Sequence, residues 1–521
     1  MKKLNDTEVV PELYKFPIRC YKPNKIGAHE VMHYMLHPHE WVGHLYLRKR
    51  ELFNKCFVGS AGDLVNYWRH ELQLEWTLAH PVLDPYRDLS AQDIPVYPVN
   101  FHGDGARYVN KRKIIVISIT GALCKLFGLL GRLVVTVVPE EFLLWKLTLE
   151  QIYARIVWSF ECLATGIWPW KDFGEKDFDP NTFRHKHRGE HLVGGFKFVL
   201  DGTLADLEFY VDTFEVDGYR NDDMCHLCGA SKTNAGRLYT RTGPLASWQA
   251  TRKTHQEFED KMNQMHKRPE LSRLPGLHLS RFFLCGLHTV EQGTAGHFAG
   301  SCMWELVCYD LWWAAPGRQQ ENRKLSLARA YAAFMKHCKD HKVSVNLKSF
   351  SEKTLNKKSA KSYAYFKAKA WETKVVSKWL ADVVIAANDG SDHGMLRAAC
   401  AWGLKEYYAV VDDGPVYLPP HDLHRLQRGV CIFLKSYLAL TSEAVRQHRY
   451  EWHWVPKHHM HEHIADVMAP QRNPRTMTTY GGEDLVGRIG KLAGKCHKRD
   501  VVRSVLQRYL VLMGYHWGLF G

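Results

Sequence analysis

Three apolar, β-branched runs lie close together in this chain: Ile94 to Phe101 (IPVYPVNF), Lys113 to Ala122 (KIIVISITGA) and Arg132 to Val138 (RLVVTVV). Runs of this length, separated by turn residues, are strand-like and too apolar to be left in water. They predict a three-strand meander in the core of an α/β unit, which constrains the fold more than any other stretch. Asp104 falls in the sequence Phe101-His102-Gly103-Asp104-Gly105, where the first run gives way to polar residues. Asp-Gly is among the commonest turn pairs, so an ordinary hairpin explains it. A carboxylate beside a buried sheet is also a candidate ligand for a hard cation.

The next elements extend the pattern. Thr148 to Gly166 has helical spacing and stops at glycine before Trp168-Pro169. Gly195 to Phe214 (GFKFVLDGTLADLEFYVDTF) reads as a fourth strand passing into a helical turn near Asp206. The order β-β-β-α-β, with one acid near the first strand and another near the fourth, is that of a ribonuclease H-like core. Such a core sets acids from distant parts of the chain side by side, where two divalent ions about 3.5–4 Å apart can act on a phosphodiester. From about Arg237 to Arg449 the pattern is mostly helical. The predicted fold class is therefore α/β with a large α insertion splitting that core. The boundaries expected are residues 1–93 for a mostly helical N-terminal lobe, 94–235 for the first part of the core, 236–450 for a basic helical insertion and 451–521 for helices completing the core.

At 521 residues and 45% hydrophobic content the chain can bury a large core in two or three packed units. Its formal charge of +15 points to a polyanionic partner, although a solvated basic surface produces the same number. Thirteen scattered cysteines and a first stretch without an apolar signal favour a reducing compartment. Ile114 to Val138 has the length of a membrane span but is broken by Lys125, Arg132 and glycines, so no membrane partner is expected.

Two further patterns carry chemistry. Cys225 and Cys228 form a CxxC, half of a zinc site; His459 with His463, four apart on one helix face, or His226 and His288, are candidates for the rest. Between Lys342 and Lys378 there are ten lysines against two glutamates, interleaved with Phe350, Tyr363, Tyr365, Phe366 and Trp371. Lys353, Lys357, Lys358, Lys361, Lys367 and Lys369 are the candidate nucleic-acid contacts, with aromatics to stack on unpaired bases. An amphipathic helical pair with its aromatics buried is the alternative.

In order along the chain, His80-Pro81-Val82, PVNFHGDG, TGIWPWKDF, LADLEFY, MCHLC, LHTVEQGTAGHFAGSCMWEL, PKHHMHEH and YGGEDL resemble cut-and-paste DNA transposases of the Kyakuja-Dileera-Zisupton and Plavaka-like groups. The resemblance runs from about Trp68 to the C-terminus. It implies a DDE-type acidic triad, with Asp104 as first acid, Asp206 as second and Glu483 as the late glutamate; Asp201 and Asp484 compete for the last two places. It also implies Mg²⁺ or Mn²⁺ at the triad, a possible Zn²⁺ at the cysteines, DNA element termini as partner, a possible homo-oligomer and residence in the nucleus. Relatives commonly carry an aspartate where this chain has Cys285, a departure that also fits a catalytically inactive or domesticated, DNA-binding descendant.

Overall fold

The computed structural model describes residues 8–21, 27–109, 112–126, 128–310, 312–314, 319–359 and 361–519. The chain divides into two compact units, Met1–Val216 with Thr254–Phe283 and Thr479–Gly521, and Asp217–Lys253 with Leu284–Thr478.

The first unit opens on an antiparallel pair, β1 (Tyr14–Tyr21) and β2 (Ala28–Met35), followed by α1 (Pro38–Arg48) and α2 (Asp63–Glu71). The meander follows as β3 (Val96–Val109), β4 (Arg112–Gly121) and β5 (Leu133–Pro139). Every residue of β5 is buried, as its unbroken Val/Leu run requires. Then come α3 (Trp145–Thr165), β6 (Lys197–Ala205), α4 (Leu207–Phe214), α5 (His255–Gln264) and β7 (Phe282–Leu284). Gly166 ends α3 in a left-handed conformation, φ 72°, with its N–H on the Cys162 carbonyl, a stop that glycine accommodates without strain.

The five strands form one mixed sheet in the order β5-β4-β3-β6-β7. β3 to β5 are antiparallel neighbours and β6 runs parallel to β3, so the long crossover through α3 is obligatory. The predicted strand, strand, strand, helix, strand order is therefore present in a mixed α/β fold.

The second unit is helical: α6 (Ala295–Cys308), α7 (Gln319–Asp340), α8 (Ala370–Ala386), α9 (Asp392–Asp413), α10 (Pro420–Arg446) and α11 (Pro456–His463). α9 and α10 meet at glycines, since a Cβ on Gly403 would lie 2.5 Å from the Gly429 carbonyl oxygen. The chain then returns to the first unit with α12 (Tyr480–Ala493) and α13 (Val501–His516).

Three expectations are corrected. The N-terminal 93 residues are mostly helical but not a separate lobe: with the β1–β2 hairpin beside their helices they belong to the sheet-bearing unit. Residues 254–283 fall outside the insertion, because Phe282 and Phe283 enter the sheet as its edge strand. Conversely, Asp217–Lys253 with the CxxC, and the segment before Thr479, belong to the helical unit rather than to the core.

Candidate functional site

In the first unit, strand register determines where the acids lie. β3 and β6 pair in parallel up to Gly103↔Ala205, so Asp104 and Asp206 are each the residue just past the last rung. Asp104 remains in β3, opposite Val116 of β4, and its Oδ1 accepts the Gly105 N–H at 2.6 Å. Asp206 leaves the sheet as the N-cap of α4, its Oδ1 accepting the Phe209 N–H at 2.7 Å.

Asp201 behaves differently. The register jumps from Val99↔Leu200 to Asn100↔Gly202, which makes Asp201 the extra residue of a β-bulge. Its fully buried carboxylate accepts the Tyr67 hydroxyl at 2.6 Å.

Glu483 arrives on α12, which lies along β3. A Cβ on Gly482 would be 2.3 Å from Nε2 of His102, and one on Gly490 would be 3.0 Å from the Arg107 carbonyl oxygen. His102, Asp104 and Ala106 alternate onto one face of the strand, so α12 covers the face that carries Asp104. The buried His102 ring is held by Ser118 of β4, Nδ1 to Oγ 3.2 Å, and fills the space beneath Gly482. Glu483, the next residue, is half-buried, whereas Asp484 is exposed and ion-paired with Arg488 at 3.0 Å. The sequence reading missed His102 as a spacer, although its place in the HGDG motif was a signal.

The second unit gathers the thiols and imidazoles. Cys225, Cys228, His459 and His463 are all buried, with one ligand atom from each lying within 4.8 Å of all the others. Cys228 Sγ and His459 Nε2 are 3.3 Å apart. The two cysteines come from an irregular segment and the histidines from successive turns of α11, so the four-residue spacing aims both rings the same way. Burial alone would raise the Cys225 thiol, but Cys228 and the two imidazoles beside it hold it well below its ordinary value. The neighbouring Cys225, together with burial, pushes the Cys228 thiol up.

Trp248 packs edge-on against His459 and His463, with ring centroids 4.4 and 5.1 Å away, and closes one side of the group. Glu462, between the histidines, accepts the Gly243 N–H at 2.6 Å and the Thr242 hydroxyl at 3.0 Å, tying α11 to the segment that follows the cysteines. Neither tie was read from the sequence. Two soft sulfurs and two imidazoles, buried together, suit a metal such as zinc. His226, His288 and Cys285, the other candidate ligands, lie outside the group. Among the described residues no other group of three or more such side chains comes together as closely, the three acids included.

The lysine-rich segment is neither a helical pair nor uniformly available. Residues 343–359 and 361–369 form turns and irregular backbone. Lys353, Lys358, Lys361, Lys367 and Lys369 are exposed. Lys357 is corrected as a nucleic-acid contact: its ammonium is buried, donating to Glu451 at 2.9 Å, and lies 4.9 Å above the Trp304 ring. Phe350 and Phe366 are buried and Tyr363 stacks on His453, with centroids 4.0 Å apart, whereas Trp371 is half-exposed. Stacking on bases is thus closed to the two phenylalanines.

Comparison with protein-family models yields no match, and neither does comparison with curated proteins. Among the described residues no helix is long and apolar enough to cross a membrane.

Proposed function

We propose that the first unit is a ribonuclease H-like catalytic core of a DNA transposase-like protein, in which Asp104, Asp206 and Glu483 hold Mg²⁺ or Mn²⁺ for DNA strand cleavage and transfer. The observation that supports this most is the β3–β6 register, in which Asp104 and Asp206 each follow the last paired residue of the two strands, while α12 lays Glu483's helix over the face that carries Asp104. Three carboxylates are the right donors for a hard divalent cation. When bound, such ions activate an attacking oxygen and stabilise a leaving one.

The chain's own contribution is positioning. The Gly105 N–H fixes the rotation of Asp104, the Phe209 N–H fixes Asp206 with one oxygen left to the site, and the His102 ring spaces Glu483's helix from the sheet. The exposed lysines of 353–369 supply phosphate contacts, and the Cys225, Cys228, His459 and His463 group takes zinc as a structural clamp. Element termini as the DNA partner, self-association on that DNA and nuclear residence follow from this reading.

A second reading, a DNA-binding descendant that no longer cuts, is favoured by the looser grouping of the acids compared with the cysteines and histidines. Nicking of DNA carrying the element's terminal repeats, titrated with Mn²⁺, separates the two. The catalytic reading expects Asp104→Ala to lose cleavage while still binding DNA. Wild-type protein as inert as that variant, with both bound to DNA, leaves the second reading standing.

A further inference from the structure

A cleft of about 260 Å³ opens in the first unit between the segment holding Ala79 and Pro81, α5 and the loop that leads into β7, and none of the three acids lines it. It is smaller than the ~300–1,000 Å³ pockets that take drug-sized molecules, which suits a small ion or the end of a longer molecule. Its walls are fixed. Trp76 donates from Nε1 to Glu71 at 3.0 Å and carries the Arg281 guanidinium 4.2 Å from its ring centroid. Gly276, at φ 73°, has no side chain to collide with the His80 ring, which packs where its Cβ would be.

The polar groups of the cleft are not equally available. Glu259 accepts from both terminal nitrogens of Arg268, at 2.9 and 3.0 Å, and Arg268 directs its other N–H groups to Asn263 and Ser272. The one acid in the lining is thereby neutralised. Arg273 is exposed, and its ion pair with Glu270 is loose, at 3.7 Å.

Two histidines supply the rest. His255, at the start of α5, and His278, shortly before β7, lie ring against ring with centroids 4.1 Å apart. The backbone sets the tautomer of each. Nδ1 of His278 accepts the Ser280 N–H at 3.2 Å, and Nδ1 of His255 accepts the Leu279 N–H at 3.4 Å. A ring nitrogen that accepts carries no proton, so each neutral imidazole keeps its proton on Nε2. Burial, above all, keeps both rings neutral by lowering their basicity, that of His278 to about 3. Nε2 of the buried His278 has no hydrogen-bond partner among the described residues. A buried donor left in that state is costly unless something accepts from it. A metal ion is the wrong guest, because it needs the Nε2 lone pair that the proton occupies.

We propose that this cleft binds an oxyanion of the phosphate class, with the Nε2–H groups of His255 and His278 donating to its oxygens and Arg273 matching its charge. The lining carries two arginines against one glutamate, a balance that favours an anion. Free phosphate, a nucleotide and a DNA strand all offer that group. The inference is independent of what the three acids hold.

Equilibrium dialysis of full-length, zinc-loaded protein against radiolabelled inorganic phosphate, at fixed ionic strength, tests it. Wild type is expected to bind phosphate saturably. His278→Asn keeps an oxygen to accept the Ser280 N–H but lacks the Nε2 donor; Arg273→Gln removes an exposed charge without touching the core. Each is expected to weaken phosphate binding by about tenfold or more. Displacement of phosphate by a 5′-phosphorylated oligonucleotide but not by its dephosphorylated form assigns the site to strand ends, displacement by both to backbone phosphates, and displacement by a nucleoside monophosphate alone to a free ligand. No saturable binding by wild type, or binding unchanged in either variant, overturns the proposal. So does a second zinc ion taken up by wild type and lost in His278→Asn.

Discussion

Gly482 is the residue on which the placement of Glu483 depends. With the His102 ring held by Ser118, a methyl group at position 482 has nowhere to go, whereas Gly487 on the same helix has open space around its missing Cβ. Gly482→Ala is expected to destabilise the protein by about 1–3 kcal/mol through overpacking. Gly487→Ala is expected to be neutral or to stabilise by up to about 1 kcal/mol through helix propensity. Urea denaturation of the two variants checks the pair. Lysine offers a parallel contrast. Replacing Lys357 by alanine leaves Glu451 buried without that partner and should cost about 3–5 kcal/mol, read in the same denaturation experiment. Replacing Lys353, Lys358, Lys361, Lys367 or Lys369 should leave stability alone. Removal of any one of these that binds a phosphate should lower the salt slope of DNA binding by about 0.9 in a titration against salt concentration.

At the scale of elements, much of the first unit was legible. Its strands announce themselves because β-branched runs buried on both faces have no alternative, and Gly166 marks the end of α3 by the conformation it adopts. The short edge strand β7 was invisible, since three residues carry no periodicity and their partner lies some 80 positions upstream in β6. β1 and β2 were missed because both alternate buried with exposed residues among charges and histidines, a weak apolar signal. That Asp201 turns its carboxylate to Tyr67 follows a one-residue bulge that no sequence pattern displays. Within the second unit, His393 links elements electrostatically. Its ring bridges Glu305 of α6 at 3.0 Å and Glu443 of α10 at 2.9 Å, beside Arg397 and Arg449, and the Glu305 contact foremost raises it to about 8. A raised histidine stabilises fully below its unfolded pKa near 6.5 and loses that contribution as pH climbs through 8. Thermal unfolding of the wild type should therefore lose about 2 kcal/mol between pH 6 and 9 that a His393→Gln variant does not lose.

For the molecule as a whole, the cysteine pair and the histidine pair are separated by more than two hundred residues, so a metal there closes most of the helical unit into one loop. Zinc binding is then folding free energy for that unit, and its removal should be felt locally. Chelation, or Cys228→Ser, is expected to raise hydrogen exchange in Asp217–Lys253 and α11 while β3 to β6 keep their protection. Equal loss of protection in both units would show the metal group to be no clamp. The acids ask for a different ion from the thiols, hard where the others are soft, and one crystal can report both. The decisive measurement is anomalous diffraction from protein crystallised with zinc and Mn²⁺ in the presence of DNA. Manganese is expected among Asp104, Asp206 and Glu483, and zinc at the cysteines and histidines. Manganese absent from those three carboxylates, or bound at Asp201 instead, would contradict it.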